Sequence, residues 1–472
     1  MSTQPTDPLN LSAQEVLQRI KTGKLRASAY AKALIGRAEQ WHALNAFITF
    51  NPDQLLRDAR AVDTKLARGE KLGPLAGLPI IVKDCIDTAE YLTTSGTPAL
   101  KNYQPKHNAV ALQRLLDAGA IVAGKANMHE FAYGITSNNA YTGAVHNPYN
   151  LDLIPGGSSG GTAAAIAAGI GVVGLGTDTG GSVRIPAALC GIAGLRTTLG
   201  RWPSAGMAPA SHSRDVVGPF GRRVADVALM DAVVSSEPIA KRAQLRGVRL
   251  GIPRGHFWEN LDPEVETVMQ SALDALRKAG ATLVEIDISK IAQLDAQHGF
   301  PIALFETLLD VPTYLIAGGS GVSYKQLIDK IVSPPVKSVI TQAPTVPLEV
   351  YTAALEARAH IQQLYATCWE QNKIEALVFP TTPLPARPIG QEETVELNGK
   401  QVPTFPTYIH NTGPASVAGL PGLSLPAGLT ASGLPVGLEL DGPAWHDRRL
   451  LSLGLAIERL LPPIPRPSLK KD

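Results

Sequence analysis

Two glycine-rich segments that carry serine, and one lysine at the end of an apolar run, are the residues of this chain best suited to acyl transfer. The first segment is Pro155-Gly156-Gly157-Ser158-Ser159-Gly160-Gly161, followed by an alanine-rich stretch to Ala168. The second is Gly176-Thr177-Asp178-Thr179-Gly180-Gly181-Ser182-Val183-Arg184-Ile185-Pro186. Glycine has no Cβ, so such loops let the backbone come close to a bound group and aim several N–H donors at one point. A serine hydroxyl is a weak nucleophile until a base takes its proton. Neither segment contains histidine. Lysine can be that base when burial disfavours its ammonium form, and Lys83 directly follows Leu78-Pro79-Ile80-Ile81-Val82. From that run alone, a surface lysine at a strand end is the more ordinary alternative.

The same region supports two other readings. Gly156-Gly157-Ser158-Ser159-Gly160 satisfies G-x-S-x-G, the nucleophile elbow of α/β-hydrolases, which would pair Ser158 with a later acid and histidine such as Asp441 and His446. An elbow needs a strand before the serine, whereas residues 149–155 read as a loop. Gly169-Ile170-Gly171-Val172-Val173-Gly174 matches the dinucleotide fingerprint G-x-G-x-x-G. Its order is helix, glycines, strand, the reverse of what holds a pyrophosphate at a helix N-terminus.

The elements that would position these groups alternate along the chain. Ser12-Ala13-Gln14-Glu15 reads as a capping box opening a helix that Gly23 stops. Helices are expected over 28–39 and 52–68, with a strand over 44–50 between them. The 78–82 run predicts a strand buried on both faces. A helix closing on Gly119 leads into a strand at 121–124, and a helix closing on Gly280 leads into a strand at 282–286. Further strands are predicted over 171–176, 248–252, 376–379, 423–425 and 436–440, and a terminal helix over 446–461. This alternation predicts an α/β fold, a large β-sheet covered by helices on both faces. No linker divides the 472 residues, which favours one large domain. It would comprise a helical N-terminal region to about 70, a core over 70–240, a helical cap-like insertion over 230–370, and a second core part over 375–472.

Composition excludes several classes. Lys and Arg number 43 against 41 Asp and Glu, so a net charge of +2 gives no electrostatic case for nucleic acid or an anionic membrane. The three cysteines, Cys85, Cys190 and Cys368, have neither disulfide-framework nor zinc-site spacing and read as buried thiols of a reducing compartment. The start, MSTQPTDPLN, lacks the charged-then-apolar texture of a secretory signal, which points to the cytoplasm. The most apolar stretch, 163–176, is short and glycine-rich for a membrane span.

The two segments, with Cys190-Gly191-Ile192-Ala193-Gly194-Leu195, resemble the long signature of the amidase signature family. Further matches are Gly77-Leu78-Pro79 through Lys83-Asp84, Gly124-Lys125-Ala126-Asn127-Met128 with Glu130-Phe131-Ala132, and Ala418-Gly419-Leu420-Pro421-Gly422 with Gly433-Leu434-Pro435-Val436-Gly437-Leu438. The resemblance implies a Ser-Ser-Lys triad: Ser182 as the nucleophile that accepts the acyl group, Ser158 as a bridging serine preceded by a cis peptide bond, and Lys83 as terminal base. It implies an oxyanion hole of backbone N–H groups from Thr179, Gly180, Gly181 and Ser182, with Asp178 and Arg184 as support and Phe131, Ala132 and Tyr133 on the pocket wall. No metal or organic cofactor is implied.

Within the family, Ser211-His212-Ser213-Arg214-Asp215-Val216-Val217-Gly218-Pro219 and the ending 433–448 resemble the indoleacetamide and mandelamide hydrolases. The expected partner is therefore a small-molecule amide, hydrolysed to a carboxylate and ammonia or an amine by an enzyme for which a homodimer is an ordinary state. Glutaminase subunits of tRNA-dependent amidotransferases instead carry an acid that holds an ammonium group; aligned on Thr412, this chain has Ile409-His410-Asn411-Thr412 and no acid. An aryl carbamate or ester hydrolase stays open, because the same relay would cleave any acyl group that fits.

Overall fold

A computed structural model describes residues 7–468; the first six residues of the polar N-terminal segment lie outside the described residues. The order of elements places a strand before most helices from residue 47 onward. The strands are β1 (Phe47–Thr49), β2 (Pro79–Lys83), β3 (Ile121–Ala126), β4 (Val173–Asp178), β5 (Ala193–Arg196), β6 (Val216–Gly221), β7 (Arg249–Pro253), β8 (Thr282–Ile286), β9 (Ala376–Pro380), β10 (Thr394–Leu397), β11 (Lys400–Pro403), β12 (Gly422–Leu429) and β13 (Pro435–Asp441). Eleven of them form one sheet in the order β1-β3-β2-β4-β6-β5-β12-β13-β9-β7-β8, and β10 and β11 form a separate hairpin. β2 runs parallel to β3 and β4, and β9 parallel to β7; the strands between, from β4 to β9, pair antiparallel. The sheet is mixed, and the fold is α/β, as the alternation of elements predicts.

The pleat explains why helices cover both faces. Along β9, Ala376 and Val378 join one apolar cluster while Leu377 and Phe379 join another. Successive strand residues point to opposite faces, so both are buried. The first cluster takes in the helices Val224–Ser235, Pro263–Lys278 and Asp447–Ile457 through Val227, Leu273 and Leu451. The N-terminal helix begins at the expected capping box, with Ser12 N–H 2.8 Å from Glu15 Oε2. Asp226 Oδ1, accepting from Ala13 N–H at 2.9 Å, pins it to the body of the fold.

Three expectations need correction. The strand expected over 44–50 spans only Phe47–Thr49, because a turn of 3-10 helix, His42–Leu44, occupies its start. The interval 230–370 is not purely a helical cap: β7 and β8 lie in it and extend the sheet edge. The cap-like part is the helices Ser289–Ala317, Tyr324–Lys330 and Pro334–Gln342, with Leu348–Asn372 packed along the first. Helix Ser289–Ala317 is long and apolar enough to cross a membrane by length and composition, and its Ile302, Val311 and Leu315 pack into the protein. Finally, β5 and β6, absent from the expected strands, sit in the middle of the sheet.

Candidate active site

Parallel pairing of β2 with β4 brings the chemistry together. Ile80, Ile81 and Val82 lie in register with Val173, Gly174 and Leu175, so both strands deliver their last residues to the same edge. Lys83 Nζ there lies 2.7 Å from Ser158 Oγ and 2.7 Å from Thr177 Oγ1. Lys83 is wholly buried and makes no ion pair among the described residues. Lys125, also wholly buried, shows the contrast: its Nζ lies 3.4 Å from Asp84 Oδ1. A buried ammonium without a counter-charge is costly, and burial pushes the Lys83 amine below its ordinary value. Two hydroxyls can satisfy a neutral amine, which has two N–H donors and one lone pair.

Ser158 follows a cis Gly157–Ser158 peptide, and its carbonyl accepts from His129 N–H at 3.1 Å. The helix Gly160–Ala167 starts two residues later without a strand before the serine. Ser182 follows Gly181, whose φ of +138° is left-handed backbone that glycine tolerates. Ser182 is 8 % exposed and lines a cavity of about 210 Å³. Lys83 and Ser158 are fully buried, so of the three only Ser182 meets the cavity.

Asp178 stiffens the nucleophile loop. Its carboxylate accepts from Arg184 Nε and from Arg196 at 3.1 Å each, and from the N–H groups of Gly181 at 2.8 Å and Val183 at 3.2 Å. Burial alone would raise its pKa, but the Arg184 and Arg196 guanidinium groups outweigh it and hold the carboxyl well below the usual range. This corrects one expectation: Gly181 N–H is taken by Asp178 and does not face the cavity as a free donor. The N–H groups of Thr179, Gly180 and Ser182 have no protein acceptor among the described residues. Thr177, which holds Lys83, Arg196, and Asp215, which accepts from Thr179 Oγ1 at 2.6 Å, are supporting groups the sequence reading missed.

Ala132 and Tyr133 line the cavity as expected, whereas Phe131 does not. Phe131 and Ala132 have φ of +51° and +63°, and this left-handed turn sends the Phe131 ring to pack with Ala99, Leu100 and Val311 instead. Most of the remaining wall is apolar and comes from distant segments, including Phe300, Leu304, Val339 and Phe405. Ile409, which stands where the aligned glutaminase subunits carry an ammonium-binding acid, also lines the cavity beside Gly180.

The elbow constellation does not form, because His446 is exposed at the start of the last helix while Ser158 is sealed in the interior. Gly169–Gly174 joins the end of helix Gly160–Ala167 to β4, so these glycines follow a helix C-terminus and open no helix. Among the described residues His212, Glu306 and Asp310 could together approach a metal, but Glu306 is already an acceptor for Ser211 Oγ, Ser213 N–H and the Tyr351 hydroxyl.

Comparison with known proteins agrees with this geometry. Residues 29–451 match the Amidase family. The chain is 40% identical over 455 residues to indoleacetamide hydrolase of Agrobacterium vitis, covering 95% of this chain and 97% of that protein. It is 35% identical over 484 residues to mandelamide hydrolase of Pseudomonas putida, covering 98% and 94%. Among solved structures, native peptide amidase from Stenotrophomonas maltophilia superposes with a TM-score of 0.86 at 27% identity, over 99% of this chain and all of that one. The sheet, the signature loops and these likenesses agree: the chain belongs to the amidase signature family and is a hydrolase of small-molecule amides.

Proposed function

We propose that this enzyme cleaves an arylacetamide to the arylacetate and ammonia through an acyl-enzyme on Ser182. The observation that carries the proposal is the Lys83 amine, wholly buried, without a carboxylate partner and 2.7 Å from Ser158 Oγ. Kept neutral by burial, Lys83 takes a proton from Ser158 as Ser158 takes one from Ser182. Ser182 Oγ then bonds to the carbonyl carbon. As the C–N bond breaks, Ser158 returns a proton to the departing nitrogen, and water repeats the sequence to release the acid. Three backbone donors, from Thr179, Gly180 and Ser182, are available to the developing oxyanion, each worth about 3–4 kcal/mol in comparable hydrolases.

The substrate assignment rests on two supports. The apolar wall suits an aromatic acyl group and leaves Ile409, not an acid, beside the nucleophile loop. The similar proteins named for their substrates act on indoleacetamide and mandelamide. The buried free thiols Cys85, Cys190 and Cys368 fit an enzyme of the reducing cytoplasm. The test is ammonia release by the purified chain alone from indole-3-acetamide and phenylacetamide, with Ser182→Ala as control. Turnover confined to glutamine in the presence of an added partner subunit would overturn the reading.

A further inference from the structure

One polar chain in the cavity wall has no part in the relay. Glu392, Thr136 and His129 all line the cavity that Ser182 opens onto. Thr136 Oγ1 lies 2.6 Å from Glu392 Oε2, 3.3 Å from Asn138 N and 3.4 Å from His129 Nδ1. Asn138 Nδ2 donates to the other carboxylate oxygen at 3.0 Å, fixing Glu392 from a second side. A hydroxyl has one proton and two lone pairs. A carboxylate only accepts, so the Thr136 proton goes to Glu392, and its lone pairs receive Asn138 N–H and His129 Nδ1. His129 Nδ1 therefore carries the ring proton, and Nε2 is left as a bare acceptor. Nε2 has no protein partner among the described residues, and the ring lies against Gly134, another cavity residue, where any Cβ would collide with Nε2.

We infer that His129 Nε2 accepts a hydrogen bond from an N–H group of the bound amide, and that Thr136 and Glu392 are positioning residues that fix the imidazole tautomer for it. The proposal rests on the arylacetamide reading and deepens it: the apolar cavity prefers substrates that bring an N–H donor to one point. Burial pushes the His129 imidazole below its ordinary value, which keeps Nε2 unprotonated at neutral pH. His129 N–H also holds the Ser158 carbonyl, so the acceptor stands close to the relay. Two N–H sources share this chemistry, the carboxamide itself and the ring N–H of an indole.

Four substrates separate them: indole-3-acetamide, 1-methylindole-3-acetamide and the methyl esters of the two corresponding acids. In His129→Phe, the amide-to-ester ratio of kcat/KM falls about tenfold for both rings if the carboxamide is the donor. The indole-to-1-methylindole ratio falls about tenfold instead if the ring N–H is the donor. Thr136→Val keeps His129 but frees its tautomer and lowers the same ratio, while Thr136→Ser restores it. Equal losses on all four substrates in both His129→Phe and Thr136→Val, or no change in either ratio, overturn the inference. A wild-type enzyme that cleaves neither amide overturns the arylacetamide reading itself, a separate and recognisable outcome.

Discussion

Thr177→Val is the perturbation that most sharply probes how Lys83 works. Valine has nearly the shape of threonine, so the change removes one oxygen, 2.7 Å from Lys83 Nζ, with little new space. Lys83 then keeps Ser158 as its only hydrogen-bond partner among the described residues. A buried donor left unpaired costs about 1–3 kcal/mol, which should lower the urea midpoint by a corresponding amount. Activity should fall further, because Thr177 anchors the amine so that its lone pair faces Ser158; a misdirected base is expected to cost roughly 10–100-fold in kcat, about 1.4–2.7 kcal/mol. The pH profile carries the decisive sign. A hydroxyl acceptor stabilises an ammonium more than an amine, about 1.5–3 against about 0.5–1.5 kcal/mol. Losing it disfavours the charged form further, so the already lowered Lys83 pKa moves down again. The acid limb of kcat/KM, which reports the free enzyme's base, should therefore shift to lower pH even as the plateau drops. Stopped assays of ammonia release between about pH 4 and 9 read both effects. A plateau within twofold of wild type, or a limb that moves to higher pH, would refute the reasoning.

Three further outcomes are expected. Ser182→Ala and Lys83→Ala should each remove amide hydrolysis while circular dichroism and the urea midpoint show a folded protein; full activity in either is incompatible with the relay. Gly181→Ala places a Cβ against Thr412 Oγ1 and 2.8 Å from Ile185 Cδ1, at a φ of +138° that alanine avoids, so activity should fall at least a hundredfold and thermal stability should drop. Asp178→Asn leaves Arg184 and Arg196 buried with less negative charge and should cost about 3–5 kcal/mol in denaturant unfolding. The folded pKa of Asp178 lies below its unfolded value, so its contribution is complete above that unfolded value and is lost as pH falls. The gap between wild type and Asp178→Asn should accordingly narrow below about pH 4.

Much of this site is legible in the sequence, but unevenly. The apolar run before Lys83 predicts its strand, and the glycines of both loops predict close backbone approach. Nothing local distinguishes a surface lysine from a buried base; that depends on β4 pairing beside β2 and supplying Thr177 in place of a carboxylate. β6 reads Val216-Val217-Gly218-Pro219-Phe220-Gly221, and its glycines and proline look like a turn. In the fold it is a central strand whose Gly218 lets the Leu195 carbonyl come so close that a Cβ would collide with it. Resemblance to the family offers the Gly181 N–H as an oxyanion donor, but nothing in the sequence reveals that Asp178, three residues earlier, folds back to take it. Family resemblance puts Phe131 on the wall beside Ala132, yet positive φ angles at both residues turn its ring away. The remaining wall, from Phe300 to Phe405, comes from segments whose apolar faces look alike until the fold selects which one meets the cavity.

The central claim is that Ser182, and not Ser158, carries the acyl group. It is tested most directly by acid-quenching the enzyme during turnover of a slowly deacylating arylacetyl ester and mapping the modified peptide by mass spectrometry. The account predicts the arylacetyl mass on Ser182 in wild type and Lys83-dependent formation of that adduct. An adduct on Ser158, or undiminished turnover in Ser182→Ala, would contradict it.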